Sequence, residues 1–209
     1  MLKIWGRRDS FNLQKVMWCV AELGIAYERI DAGGVHGVTD TSEYLALNPN
    51  GLVPTIEDDG FVLWESNAIV RYLSARHGAG TLCPDDPMRR ADADRWMEWQ
   101  SATMAAVMRP LIITMFRTLP GDRDAEIVRR QIDAAGRLWT MLDAQLANRD
   151  FVAGGDFTMG DIPLGAYAYR WFSISETRPD LPGLAAWYER LCARPAFQKH
   201  VHLPIAAAQ

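Results

Sequence analysis

The chain has 209 residues, 49% hydrophobic and 23% charged, with a formal net charge of −4. That is the balance of a globular protein of one large or two small domains, and its acidity argues against nucleic acid as the main partner, which leaves a basic stripe. Cys19, Cys83 and Cys192 are odd in number and widely spaced with no CxxC, which argues against a disulfide framework and for reduced thiols in a cytoplasm.

The opening "MLKIWGRRDS" lacks the apolar core of a signal peptide, and no window reaches the length of a membrane span. "LKIW" has strand character. Leu13, Val16, Val20 and Leu23 then recur at spacings of three and four, one face of a helix that Gly24 closes. "AYERID" reads as a second strand. A glycine-rich stretch with His36 follows, then a short helix near "SEYLAL". "PTIED" and "FVLWE" flank Asp59-Gly60, a hairpin signal. "SNAIVRYLSARHG" is helical, with Ile69, Val70 and Leu73 facing inward. The order β-α-β-α-β-β-α predicts a parallel first pair and an antiparallel closing hairpin.

The character changes after Gly78. "GAGTLCPDDP" reads as a connector, and almost everything beyond it is helical. The expected division is an α/β domain over 1–78, a linker over 79–87 and an all-α domain over 88–209. In "FTMGDI", Thr158 and Asp161 are spaced as a capping box, with Phe157 and Ile162 as a hydrophobic staple. That reading makes Asp161 structural rather than catalytic. His200 and His202 lack further ligands at fitting spacing, so no metal is expected.

Three features converge on chemistry. Ser10 and Asn12 stand where the first helix begins, placed to cap it or to aim a hydroxyl and an amide at a ligand, with Arg7 and Arg8 adding positive potential. Pro54 sits at the mouth of a strand, where proline requires an edge, a bulge or a cis bond. A cis bond there leaves the Val53 backbone free to pair with a peptide-like ligand. Ser66 opens a helix and suits a carboxylate, while Glu65 beside it suits an ammonium group.

Through "SFNLQKVMWCVAELG", "NPNGLVPTIEDDG", "LWESNAIVRYL" and "FTMGDIPLG", in that order and spacing, almost the whole chain resembles the cytosolic glutathione S-transferase superfamily, in its bacterial, serine-type, theta-like branch. The resemblance implies a thioredoxin-like N-terminal domain, an all-helical C-terminal domain, glutathione as cosubstrate, no metal and a homodimer. It places Val53 and a cis Pro54 against the cysteinyl backbone of glutathione, and Glu65 and Ser66 at its γ-glutamyl end. It makes Ser10 the donor to the thiolate, assisted by Asn12. Lowering a thiol from about pH 8.5 by about two units requires roughly 2.7 kcal/mol of selective stabilisation, the size of a good hydrogen bond with helix-dipole help.

Where many relatives hold the glycyl end with a basic or polar side chain, this chain has Leu52, and His36 is the candidate substitute. Redox branches carry cysteine where Ser10 stands. The resemblance puts the pocket for a small hydrophobic electrophile between the domains, with Met108, Arg109 and Trp171 as candidates and Phe116 and Phe172 near them. The expected function is glutathione transfer to that electrophile. The alternatives are a glutathione-dependent isomerase, dehalogenase or disulfide reductase/peroxidase, and a non-catalytic interaction module. Arg71 is expected to be available for dimerisation.

Overall fold

The computed structural model describes residues 1–205. Strands β1 (Leu2–Trp5), β2 (Tyr27–Ile30), β3 (Thr55–Asp58) and β4 (Phe61–Trp64) form one sheet in the order β2-β1-β3-β4. β1 pairs with β2 in parallel, and β3 lies antiparallel to both β1 and β4. The hairpin turns where expected, because Asp59 and Gly60 both take the positive φ that a tight β-turn requires.

Helix α1 (Phe11–Glu22) connects the parallel pair, α2 (Ser42–Leu47) precedes the hairpin and α3 (Ser66–His77) follows it. Ile69, Val70 and Leu73 are fully buried, as their spacing predicts. The helical part runs through α4 (Pro87–Trp99), α5 (Ala105–Arg117), α6 (Ala125–Leu146), α7 (Asp161–Phe172), α8 (Pro182–Cys192) and the short α9 (Pro195–His200). A π-helical turn over residues 100–104 joins α4 to α5, so the long amphipathic segment is one rod with a bulge.

α1 is buried far beyond one face. Its eight consecutive residues from Leu13 to Val20, Gln14 and Lys15 included, are all buried. It packs on α3 on one side and on α7 and α9 on the other. Gly165 makes the second contact close, because a Cβ there would lie 2.9 Å from the Trp18 ring and 2.7 Å from Leu191. The Trp18 ring meets Phe197 at 4.9 Å and Phe157 at 5.4 Å. Its Nε1 donates to Glu22, which also holds Arg194 in a two-pronged ion pair.

Arg71 is not free. It donates to Asp94 and Glu98 of α4, an intrachain tie between α3 and α4.

Candidate functional site

The N-terminus of α1 supplies the first part of the site. Ser10 is extended and 8% exposed, and its Oγ accepts from the Leu13 N–H at 3.4 Å. It therefore caps the helix and still carries a hydroxyl proton to give. The Ser10 N–H is itself held by the Arg7 carbonyl at 3.0 Å. Arg7 is paired with Asp9 at 2.6 Å, which discounts its field, while Arg8 stays exposed.

The N-terminus of α3 supplies the second part. Glu65 stands in the N-cap place with φ 71° and gives no side-chain cap. A non-glycine residue there costs of order 1–3 kcal/mol and leaves the first N–H groups of the helix to an outside acceptor. Glu65 itself is exposed, whereas Ser66 is buried. The Ser66 Oγ donates to Asn12 Oδ1 at 3.3 Å, so the beginnings of α1 and α3 meet through the two side chains that the sequence singles out.

The third part is the entry to β3. The Val53–Pro54 bond is cis. The ladders start one residue later, at Thr55, which pairs with Trp5 on β1 and Trp64 on β4. Tyr44 and Asn48 fix this entry: both donate to the Leu52 carbonyl, at 2.6 and 2.8 Å, and both reach Thr55 Oγ1. Neither stood out in the sequence, where Tyr44 is one apolar residue of a short helix and Asn48 a loop asparagine. The Leu52 side chain is 65% exposed. His36 is exposed in the glycine-rich loop, 3.8 Å from Asp31, whose carboxyl is held low chiefly by a hydrogen bond from Arg29.

Two buried cations lie behind these parts. Lys15 Nζ donates to Asn67 Oδ1 at 3.0 Å, and Asn67 Nδ2 donates to Gln100 in the π-helical turn and to the Met97 carbonyl. Burial drives the Lys15 ammonium down to about 7, opposed by the attraction of Glu65. Arg170 of α7 donates to Gln14, whose Nε2 donates to the Arg8 carbonyl at 3.3 Å. Burial lowers its guanidinium to about 10.

Two of the electrophile-pocket candidates are corrected. Met108 is fully buried and Trp171 is 1% exposed, inside the core of the helical part with Trp139 at 6.0 Å from Trp171. They have no surface to offer a ligand: α6 packs on α5, which carries Met108, and α8 and Trp139 of α6 pack against α7, which carries Trp171. Arg109 is exposed and Phe116 partly so. Phe116 lines a cavity of about 330 Å³ with Met115, Arg123, Tyr169 and Ser173. A cavity of about 680 Å³ beside Asp143, Arg149 and Arg190 contains none of the expected site residues.

Asp161 is structural. It is fully buried at the start of α7, where Oδ1 accepts from the Val152 N–H and Trp187 Nε1 and Oδ2 accepts from the Thr158 N–H and hydroxyl. The capping box is corrected: Gly160, not Thr158, stands in the N-cap place and no side chain caps α7, so Asp161 makes its back-bond to the Thr158 N–H while the Thr158 oxygen serves Gly160. Cys19 and Cys83 are buried and Cys192 partly so; all three are free thiols, and burial pushes Cys19 up to about 12. Among the described residues no group of three or more His, Cys, Asp or Glu side chains is placed to hold a metal, and no helix is long and apolar enough to cross a membrane.

The chain is similar to known proteins over almost its whole length. Residues 1–75 match the family model of the glutathione S-transferase N-terminal domain and residues 125–190 that of the C-terminal domain. The chain is 39% identical to Glutathione S-transferase GstB of Escherichia coli K12, over 99% of this chain and 100% of that protein. It is 30% identical to Glutathione S-transferase 3 of Zea mays, over 96% and 93%. Its structure superposes with a TM-score of 0.92 on a theta class glutathione S-transferase from Xanthomonas axonopodis pv. citri with glutathione bound, at 47% identity over 98% and 99% of the two chains.

Proposed function

The chain belongs to the glutathione S-transferase family, and we propose that the junction of α1, α3 and the β3 entry is its glutathione site. One observation carries the reading: the 3.3 Å bond from Ser66 to Asn12 brings the beginnings of α1 and α3 together. Glutathione is a tripeptide with an α-amino-acid end, a peptide middle and a thiol. Glu65 and the uncapped start of α3 suit the first, the ladder-free Val53 backbone the second and the Ser10 hydroxyl the third.

The chemistry is attack by the thiolate on an electrophilic carbon. The sulfur forms the new bond, and the leaving group departs with the displaced electron pair. Ser10 acts by donating a hydrogen bond to the ionised sulfur, with the α1 dipole adding to it. It is not a nucleophile, since no base stands beside it to take its proton. Arg109 and Phe116 border the electrophile site, and His36 serves the glycyl end that Leu52 cannot hold. The catalytic unit is a cytoplasmic homodimer whose α/β part, residues 1–78, binds glutathione and whose helical part, from residue 88, receives the electrophile.

Calorimetric titration of reduced glutathione tests this directly. Binding to the wild-type protein is expected to fall beyond detection when Glu65→Ala and Ser66→Ala are combined. Equal binding in the folded double variant would remove the site from this junction. Ser10→Ala is expected to retain binding and to lose roughly 10- to 100-fold in kcat/KM at neutral pH, as the thiol returns toward its free pKa.

A further inference from the structure

We propose that Lys15 and Arg170 form a buried cation pair around Phe11 that supplies the electrostatic field for the thiolate beside Ser10. The inference rests on the glutathione site described above and adds residues to it.

The geometry is specific. Phe11 directly follows Ser10. Lys15 Nζ stands 5.2 Å from the centroid of its ring, and Arg170 Cζ stands 5.1 Å from the same centroid. Lys15 is 3% exposed and Arg170 5%. Each has neutral polar partners: Asn67 for Lys15, Gln14 and the Ala166 carbonyl for Arg170. Among the described residues neither makes an ion pair with a carboxylate. A buried charge without a counter-charge is costly and is ordinarily paired or replaced. Here two such charges of the same sign share one aromatic ring, and the quadrupole of that ring is the main negative feature between them.

What completes them is an anion at the adjoining helix start. The two side chains flank Phe11, the first residue of α1, from different parts of the fold, Lys15 beside Asn67 of α3 and Arg170 from α7. Gln14 links Arg170 to the Arg8 carbonyl, in the loop that delivers Ser10. The other groups facing the pair do not cancel it. Glu65, exposed at the start of α3, attracts Lys15 from beyond ion-pair distance. Tyr167, Tyr169 and Tyr188 face Arg170, and their phenols are held neutral, with burial pushing each up. Arg109 of α5 faces Tyr167 and adds positive charge. On α9, Lys199 is basic and His200 is driven down to about 4, while Arg194 is taken by Glu22. Buried charges are screened less than surface ones, so the field of the pair acts on the adjoining helix start. Neither side chain touches the sulfur, so both are positioning residues that act through the α1 start.

The test cancels each charge without removing it. Gln14→Glu puts a carboxylate on Arg170, and Asn67→Asp puts one on Lys15; each creates an ion pair where a lone cation stood. The thiolate absorbance of bound glutathione is titrated against pH in the wild type, both variants, Ser10→Ala and the charge-retaining Arg170→Lys, with glutathione binding followed by calorimetry. The expected result is a rise of about one unit in the bound thiol pKa for each cancelling variant. kcat/KM at neutral pH falls with it and recovers at alkaline pH, and Arg170→Lys keeps the wild-type value. A purely structural role predicts folded variants with an unmoved thiol pKa, and that result in variants that bind glutathione would overturn the proposal while leaving the site in place. Failure of the wild type itself to bind would instead overturn the site, and the proposal with it. If one cancelling variant does not fold, the other decides: an unmoved thiol pKa in that folded, glutathione-binding protein overturns the proposal.

Discussion

The starts of α7 and α1 both bury an ionisable side chain, and they treat it in opposite ways. Asp161 at α7 accepts from two backbone N–H groups, an indole and a hydroxyl. Lys15 in α1 has one amide oxygen and the face of a phenyl ring. The saturated charge holds a loop to a helix and has no capacity left for a ligand. The undersupplied one stores a demand for negative charge that folding does not meet. Saturation marks the residue that serves the fold, and deficit marks the residue that serves a ligand.

The largest break in this comparison is expected from Asp161→Ala. It strands the Val152 and Thr158 N–H groups and Trp187 Nε1 together, at a cost of about 3–5 kcal/mol, read from the urea midpoint. Gly165→Ala presses α7 off the wall that carries Lys15 and should cost about 2–3 kcal/mol, with a fall in Trp18 packing visible in near-ultraviolet circular dichroism. Lys15→Met is expected to act in the opposite direction, stabilising the protein by about 2 kcal/mol at pH 7 while impairing catalysis.

The pH dependence sharpens the contrast. The folded Lys15 lies at about 7 against an ordinary 10.5, so between those values the unfolded chain binds more protons. Stability from this group therefore rises with pH across that window, and the advantage of Lys15→Met should shrink to nothing by its upper end. Asp161 is pushed by burial from 3.8 to about 6, so there the folded form binds more protons and stability from this group falls as pH rises through that range. Denaturant midpoints of the wild type and Lys15→Met across pH check the first slope, and a wild-type series below pH 6 checks the second. The smallest effect is that of Thr158→Ala, about 1 kcal/mol, because Asp161 keeps its other donors.

Much of this was legible in the sequence because local chemistry dictated it. Asp59-Gly60 fixed the hairpin, Gly24 ended α1, and the spacing of Thr158 and Asp161 announced a bonded pair at a helix start, though not a side-chain cap. Ser10, Asn12 and Ser66 were readable because short polar side chains at helix starts have few other uses. What stayed hidden was the outcome of packing between distant parts. Gln14 and Lys15 look like the solvated face of an amphipathic helix; only the arrival of α3 at Lys15 and of α7 at Gln14 turns that face into an interior. Met108 and Trp171 misled in the reverse sense, since a Met/aromatic stripe has the same spacing whether it lines a pocket or fills a core. The π-helical turn at 100–104 has no sequence signature, and its Gln100 matters only because Asn67 lies opposite.

The closeness of α7 to α1 at Gly165 has a consequence for how the molecule comes apart. The Trp18 side of α1 is covered by the second half of the chain, through Phe157, Phe197 and the Glu22–Arg194 pair. The first 78 residues thus borrow one wall of their interior from residues more than 130 positions away in sequence. Cutting the segment between α3 and α4 should leave the halves clasped together, and heating should release them in a single transition. Expressed alone, the first half would expose a tryptophan, an unpaired glutamate and a lone ammonium, and would precipitate rather than stand as a module.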